Sequence, residues 1–188
     1  EGLILQPDGK ILLSGSVTVS DWRNTAVVRL LADGTTDASF GTNGLVTADY
    51  APGRDDQGTG IAVLSNGKIV VAASTVNTIS IPVIAQFNTN GTPDITFGTN
   101  GYTLLSEVVI YNNDYAWNNL LVRGNKAYWG GTSQLYEATF TIASVEIGPL
   151  ASSIVYRFVG NGNFDDPANW LNNTMPPNPL PGNSEIII

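Results

Sequence analysis

The stretch Gln6-Pro-Asp-Gly-Lys-Ile-Leu-Leu-Ser-Gly15 returns as Leu64-Ser-Asn-Gly-Lys-Ile-Val-Val-Ala-Ala73, with Lys10 and Lys68 at the same place in the two copies. A second block, Asp33-Gly-Thr-Thr-Asp-Ala-Ser-Phe-Gly-Thr-Asn-Gly44, returns as Asn90-Gly-Thr-Pro-Asp-Ile-Thr-Phe-Gly-Thr-Asn-Gly101, and the step from Phe40 to Phe97 matches the step from Lys10 to Lys68 to within one position. Two unrelated blocks on one period define a repeat protein, whose units bury their apolar faces on neighbouring units. A fainter third copy, Leu120-Leu-Val-Arg-Gly-Asn-Lys-Ala-Tyr-Trp-Gly-Gly131, sets Lys126 one further period on, and no Phe-Gly block follows it.

Each copy reads as four short strands. The first ends at Asp8-Gly9, Asn66-Gly67 or Gly124-Asn125, pairs that accept the positive φ of a tight hairpin. The second follows directly, as in Lys68–Ser74, and the third covers Thr25–Leu31, Ile81–Asn88 and Ala138–Ser144. A further turn at Asp33-Gly34 or Asn90-Gly91 precedes a last short strand after Gly44 or Gly101. No 3.6-residue period is sustained, so helix content should be low. Ile69-Val-Val-Ala-Ala73 is apolar on successive residues, the mark of a strand covered on both faces. A radial stack of four-stranded sheets covers both faces of each sheet, so the expected fold is all-β: four-stranded repeats of about 58 residues forming part of a β-propeller. A stacked β-solenoid is the other architecture that fits.

The blocks Gln6–Gly15, Val27-Val-Arg-Leu30 and Asp33–Gly44 resemble the delta-60 repeat, a propeller-type unit of large secreted bacterial proteins. The resemblance covers about residues 2–147, in copies at about 2–49, 60–106 and 118–147. Residues 148–153 read as a linker. From residue 154, Val155-Tyr-Arg-Phe-Val-Gly-Asn-Gly-Asn-Phe-Asp-Asp-Pro-Ala-Asn-Trp170 and the prolines after it resemble the opening of a module found in bacterial surface proteins. Residues 154–188 are therefore expected to be the start of a second, β-rich domain, cut short. Two or three blades do not close a ring, so further blades are expected upstream, with an upstream strand completing the last blade. The resemblance implies a secreted or cell-surface location, export by a route such as type IX secretion with a sorting domain beyond residue 188, and no catalytic activity.

Composition narrows the chemistry. With no histidine or cysteine, the common nucleophile–base pairs, thiolate metal sites and disulfides are excluded. A net charge of −8 argues against a nucleic-acid partner, and no run of residues is apolar enough to span a membrane. A glycosidase needs only paired carboxylates, for which Asp55, Asp56 and Asp114 are present. Asp56 and Asp114, however, occupy one repeat position, where a side chain is more suited to cap a turn. The chain is thus expected not to be an enzyme and to carry no cofactor.

Calcium is the one candidate ion, through Asp33, Asp37 and Asp94; Asx-turns account for the same residues. The candidate glycan site is the loop Tyr111-Asn-Asn-Asp-Tyr-Ala-Trp-Asn118, where Tyr111, Asn113, Asp114, Tyr115 and Trp117 combine aromatic faces with planar polar groups. Ser20-Asp-Trp-Arg-Asn24 is a smaller version of it. Alternatively, Tyr115 and Trp117 pack between blades. The expected function is a structural or adhesive ectodomain segment of a large exported bacterial surface protein. The alternatives are a carbohydrate-binding module and an accessory domain of a secreted hydrolase. Candidate partners are polysaccharide, other surface proteins and the export machinery.

Overall fold

The computed structural model describes residues 1–106, 110–111, 119–134, 138–147 and 153–157, and these contain strands and turns but no helix. They form three antiparallel sheets, one for each repeat. The first sheet runs in sequence order from β1 (Gly2–Leu5) through β2 (Ile11–Val19) and β3 (Trp22–Leu30) to β4 (Leu45–Ala48). The second follows the same path with β5 (Asp55–Val63), β6 (Ile69–Val76), β7 (Ile79–Phe87) and β8 (Tyr102–Leu104), and a short β9 (Ile110–Tyr111) pairs with the far end of β7. The third comprises β10 (Asn119–Arg123), β11 (Lys126–Gln134), β12 (Ala138–Glu146) and β13 (Ser153–Arg157). Four-stranded meanders repeated at this period are the blades of a β-propeller.

Blade three differs from expectation at its last strand. Ser153–Arg157, assigned from the sequence to the end of the linker and the opening of the next module, pairs with β12 from Thr141↔Arg157 to Val145↔Ser153. An open β12 edge would leave a row of unpaired N–H and C=O groups, and the β-branched and aromatic Ile154-Val-Tyr156 is well suited to cover it. The fourth strand thus comes from residues that follow the repeat, not from an upstream strand. Residues 158–188, which hold the rest of the expected second domain, lie outside the described residues.

Two cores lie between the three sheets. Leu12, Val27, Phe40, Val46 and Tyr50 of blade one pack against Ile69, Val71, Val83, Ala85 and Phe87 of blade two. Val70, Ala72, Ile84 and Phe97 on the opposite face of blade two pack against Ala127, Trp129, Val145 and Ile147 of blade three. This is why β6 is buried along its whole length: alternate side chains enter different cores.

Phe40 and Phe97 are fully buried at the same place in successive blades. Each is followed by a glycine at positive φ, +53° for Gly41 and +52° for Gly98. A Cβ at Gly41 would collide with the Leu45 carbonyl oxygen, so the turn behind Phe40 admits only glycine.

Blades approach most closely along β5, which lies against β1, β2 and β3 on one side and β10 on the other. A Cβ at Gly58 would come within 2.7 Å of the Gly15 carbonyl oxygen, whereas one at Gly15 would meet nothing nearer than 3.8 Å. Gly58→Ala should therefore force the first two blades apart and lower stability by about 1–3 kcal/mol, the usual cost of overpacking. Gly15→Ala should leave stability within about 0.5 kcal/mol of the parent, as at uncrowded sites. Urea denaturation of the two variants checks the contrast.

Candidate functional site

The polar residues that recur with the repeat gather where the β1–β2 and β5–β6 hairpins meet the Asp-x-x-Phe-Gly blocks. Asp8 and Asn66 cap these hairpins by accepting the N–H groups of Lys10 and Lys68, at 3.2 and 3.0 Å. The two lysines then reach the buried aspartates of their own blades. Asp37 Oδ2 accepts Arg29 Nε–H at 2.9 Å and lies 3.3 Å from Lys10 Nζ, while Oδ1 accepts the Ser39 N–H and hydroxyl at 3.0 and 2.6 Å. In blade two, Asp94 Oδ2 accepts from Lys68 Nζ at 2.5 Å and Gln86 Nε2 at 2.7 Å, and Oδ1 from the Thr96 N–H and hydroxyl. Blade three has no such block, and Lys126 lies 3.8 Å from Glu146 on the neighbouring strand.

The Ser39 bonds, with Lys10 and Arg29 beside them, hold the Asp37 carboxyl far below the usual carboxylate range. Burial pushes Asp94 upward, but Lys68, Thr96 and Gln86 together outweigh it and the net shift is downward. Arg29 also leaves its own blade: Nη1 donates to the Thr89 carbonyl of blade two at 2.6 Å, and its guanidinium stacks over Phe40 at 4.5 Å. Beside it the Gly41 N–H donates to the Asn90 carbonyl at 2.8 Å. A cleft of about 510 Å³ opens here, with Lys10, Arg29 and Ser39 on one side and Leu64, Thr89 and Asn90 on the other.

The three calcium candidates are not brought together. Asp33 is exposed and closes an Asx-turn on the Thr35 N–H and hydroxyl at 2.9 and 2.6 Å, while Asp37 and Asp94 sit in separate blades facing cations. Among the described residues, no three acidic side chains converge as a metal site would require. Of the glycan candidates, Tyr111 ends β9 opposite Ile79, and Asn113, Asp114, Tyr115 and Trp117 lie outside the described residues. Trp22, in the smaller aromatic segment, opens β3 beside the β2–β3 hairpin tip and is 44% exposed. Its neighbour Arg23 is tied to Asp55, the Arg23 N–H donating at 2.8 Å and Nε lying 3.6 Å away.

Asp55 and Asp56 are successive residues of one strand and so project to opposite faces. Asp56 is completely buried and accepts the Tyr50 N–H at 2.7 Å, closing the connection between blades one and two. Burial raises its carboxyl to about 6, against the pull of the Tyr50 N–H and the Thr75 hydroxyl. Tyr50 is buried against Tyr102, ring centroids 5.0 Å apart, and burial raises its hydroxyl as well.

Blades, buried aspartates and inter-blade bonds together define a β-propeller repeat protein. A family described as a domain of unknown function (DUF5122) beta-propeller matches residues 6–40 and 64–97. Each matched stretch runs from the β1–β2 or β5–β6 hairpin to the buried phenylalanine, and so contains the lysine, the aspartate and the ring described above. No curated protein matches the chain.

Asp56 and Asp94, both buried, should respond to pH in opposite directions. The folded pKa of Asp56 is above the unfolded value, so its contribution is complete near pH 4 and is lost as pH rises through about 6. Asp56→Asn should remove this loss, about 2–3 kcal/mol for a shift of that size, in denaturation curves at pH 4 and pH 7. Asp94 is shifted the other way, so its contribution is present above pH 4 and lost on acidification. Asp94→Ala should accordingly lower the thermal midpoint at pH 7 well below that of Asp33→Ala, whose side chain serves only its own exposed turn.

Proposed function

We propose that this chain is a non-catalytic scaffold segment of a large exported bacterial surface protein, built from delta-60-type blades and holding variable loops in fixed positions. The observation that carries this reading is the use of the recurring polar residues. Lys10, Arg29, Asp37, Lys68, Gln86 and Asp94 are spent on one another and, through Arg29, on the neighbouring blade, including Lys10 and Arg29 where they border the cleft between the two turns. What does not recur includes the β2–β3 hairpin tip and the start of β3, Ser20-Asp-Trp-Arg-Asn24. Chemistry of an attached hydrolase, if the full polypeptide has one, would belong to another domain. Brief trypsin treatment of intact cells bearing the native polypeptide should release peptides from residues 1–147. Recovery of those peptides only after lysis would refute the surface placement.

A second reading, carbohydrate binding, draws on Trp22. An indole exposed beside a hairpin tip that Arg23 ties to Asp55 is a preorganised platform for a sugar face. On this reading Trp22→Ala and Trp117→Ala each reduce retention on an insoluble polysaccharide column by tenfold or more, on the order of 1.4 kcal/mol of stacking. Unchanged retention of both variants would leave the scaffold reading alone.

A further inference from the structure

Four side chains inside the junction of blades one and two carry oxygen atoms that no other protein group bonds. Thr25 lies two residues from Val27 on β3, on the face that meets blade two. Thr75 lies two residues from Ala73 on β6, on the face that meets blade one, and Asp56 stands opposite it on β5. Tyr50, in the connection between the two blades, completes the group. All four are buried, Asp56 and Thr75 completely. Among the described residues, Thr25 Oγ1, Tyr50 Oη, Asp56 Oδ1 and Thr75 Oγ1 each lack a hydrogen-bond partner. Asp56 Oδ2, by contrast, accepts the Tyr50 N–H.

The four are neighbours all the same. Thr25 and Asp56 both act on the Tyr50 phenol, and the Thr75 hydroxyl acts on Asp56. Thr25 also approaches β5 itself, its Cγ2 lying 3.3 Å from the position of a Cβ at Gly58. One unbonded buried polar group is already costly, and four in one place call for an atom that bonds them together. Among the described residues no ion pair reaches Asp56, so its charge is unmatched as well. The repeat does not impose this cluster. At the junction of blades two and three the place of Thr25 is taken by Pro82, which has no side-chain oxygen.

We infer that Thr25, Tyr50, Asp56 and Thr75 form a binding site for an alkali-metal cation, of the sodium or potassium class, enclosed between blades one and two. The donor set selects the ligand. Three hydroxyl oxygens and one carboxylate oxygen, without nitrogen or sulfur, suit a hard cation. The set has one formal negative charge, which a monovalent ion neutralises, whereas a divalent ion leaves a net positive charge buried. A water molecule satisfies the hydroxyls but not the charge. The ion joins β3 of blade one to β5 and β6 of blade two, on the same face as Arg29 and four residues along β3 from it. The junction is therefore tightest where alkali cations are plentiful.

The test follows hydrogen exchange in the peptide spanning Tyr50–Asp56 of the native polypeptide, in sodium, potassium or choline chloride at equal ionic strength. A pH of about 8 keeps carboxylates ionised, and choline, too large for an enclosed site, keeps screening constant. Exchange should be about fivefold slower or more in at least one alkali salt than in choline, saturating with concentration, as ligand-linked protection does. Asp56→Asn should exchange equally in all three salts, while Asp33→Asn, in its exposed turn, should keep the parent's response. Thr25→Val, which removes a ligand and no charge, should move the response to higher salt concentration. The comparison of salts on the unsubstituted polypeptide decides by itself, whatever the variants do to folding. Equal exchange of the parent in all three salts, or a salt response that survives in Asp56→Asn, would overturn the inference.

Discussion

The rest of the structure depends on the packing of one sheet's Phe-bearing face onto the next sheet. A four-stranded sheet with apolar side chains on both faces has no core of its own, and each large side chain gains about 1.5–3 kcal/mol only when a neighbour covers it. Phe40 and Phe97 provide that cover at equivalent positions, and the strands between them are consequently apolar on successive residues rather than alternate ones. The close approach has a backbone requirement, met by Gly58 on β5 and Gly41 behind the ring. Stability is then shared between neighbouring units, as in other stacked repeats.

The polar groups of the repeat serve the same contact. A guanidinium as buried as that of Arg29 would be costly if unpaired. Here it is held by Asp37, stacked on Phe40 and extended to the Thr89 carbonyl of the next blade. One side chain therefore joins the turn of its own blade to the turn of its neighbour. Blade two uses Gln86 at the same place, and Lys68 supplies the charge that Asp94 needs. In blade one the motif thus acts as a joint to the next blade, while the Lys68–Asp94–Gln86 bonds brace the turn of blade two itself.

Much of this was legible in the sequence. The period, the hairpin turns at Gly9 and Gly67, the four strands of the first two blades and the buried phenylalanines all come from local patterns that recur. The fourth strand of the third blade was not legible, because Ser153–Arg157 follows a Gly-Pro segment and lacks the Phe-Gly signal that announces it elsewhere. The short strand β9 is below any pattern. For the candidate sites, the sequence pointed correctly to Asx-turn chemistry at Asp33, Asp37 and Asp94, but not to the lysine partners of Asp37 and Asp94, which come from the hairpin at the start of each blade. The recurrence of Lys10, Lys68 and Lys126 was the available signal for those pairs.

By itself, then, the sequence determined the unit: its length, its turns, its strand pattern and the absence of histidine and cysteine chemistry. These depend on residues close together in the chain, where backbone preference and alternation act directly. Tertiary structure decided what the units do to one another. Which face of each sheet is covered, where Arg29 reaches, which strand closes the third blade and why Asp56 holds its proton up to about pH 6 all arise between segments distant in sequence. Desolvation and packing are properties of the assembled neighbours, and no stretch of the chain read alone contains them.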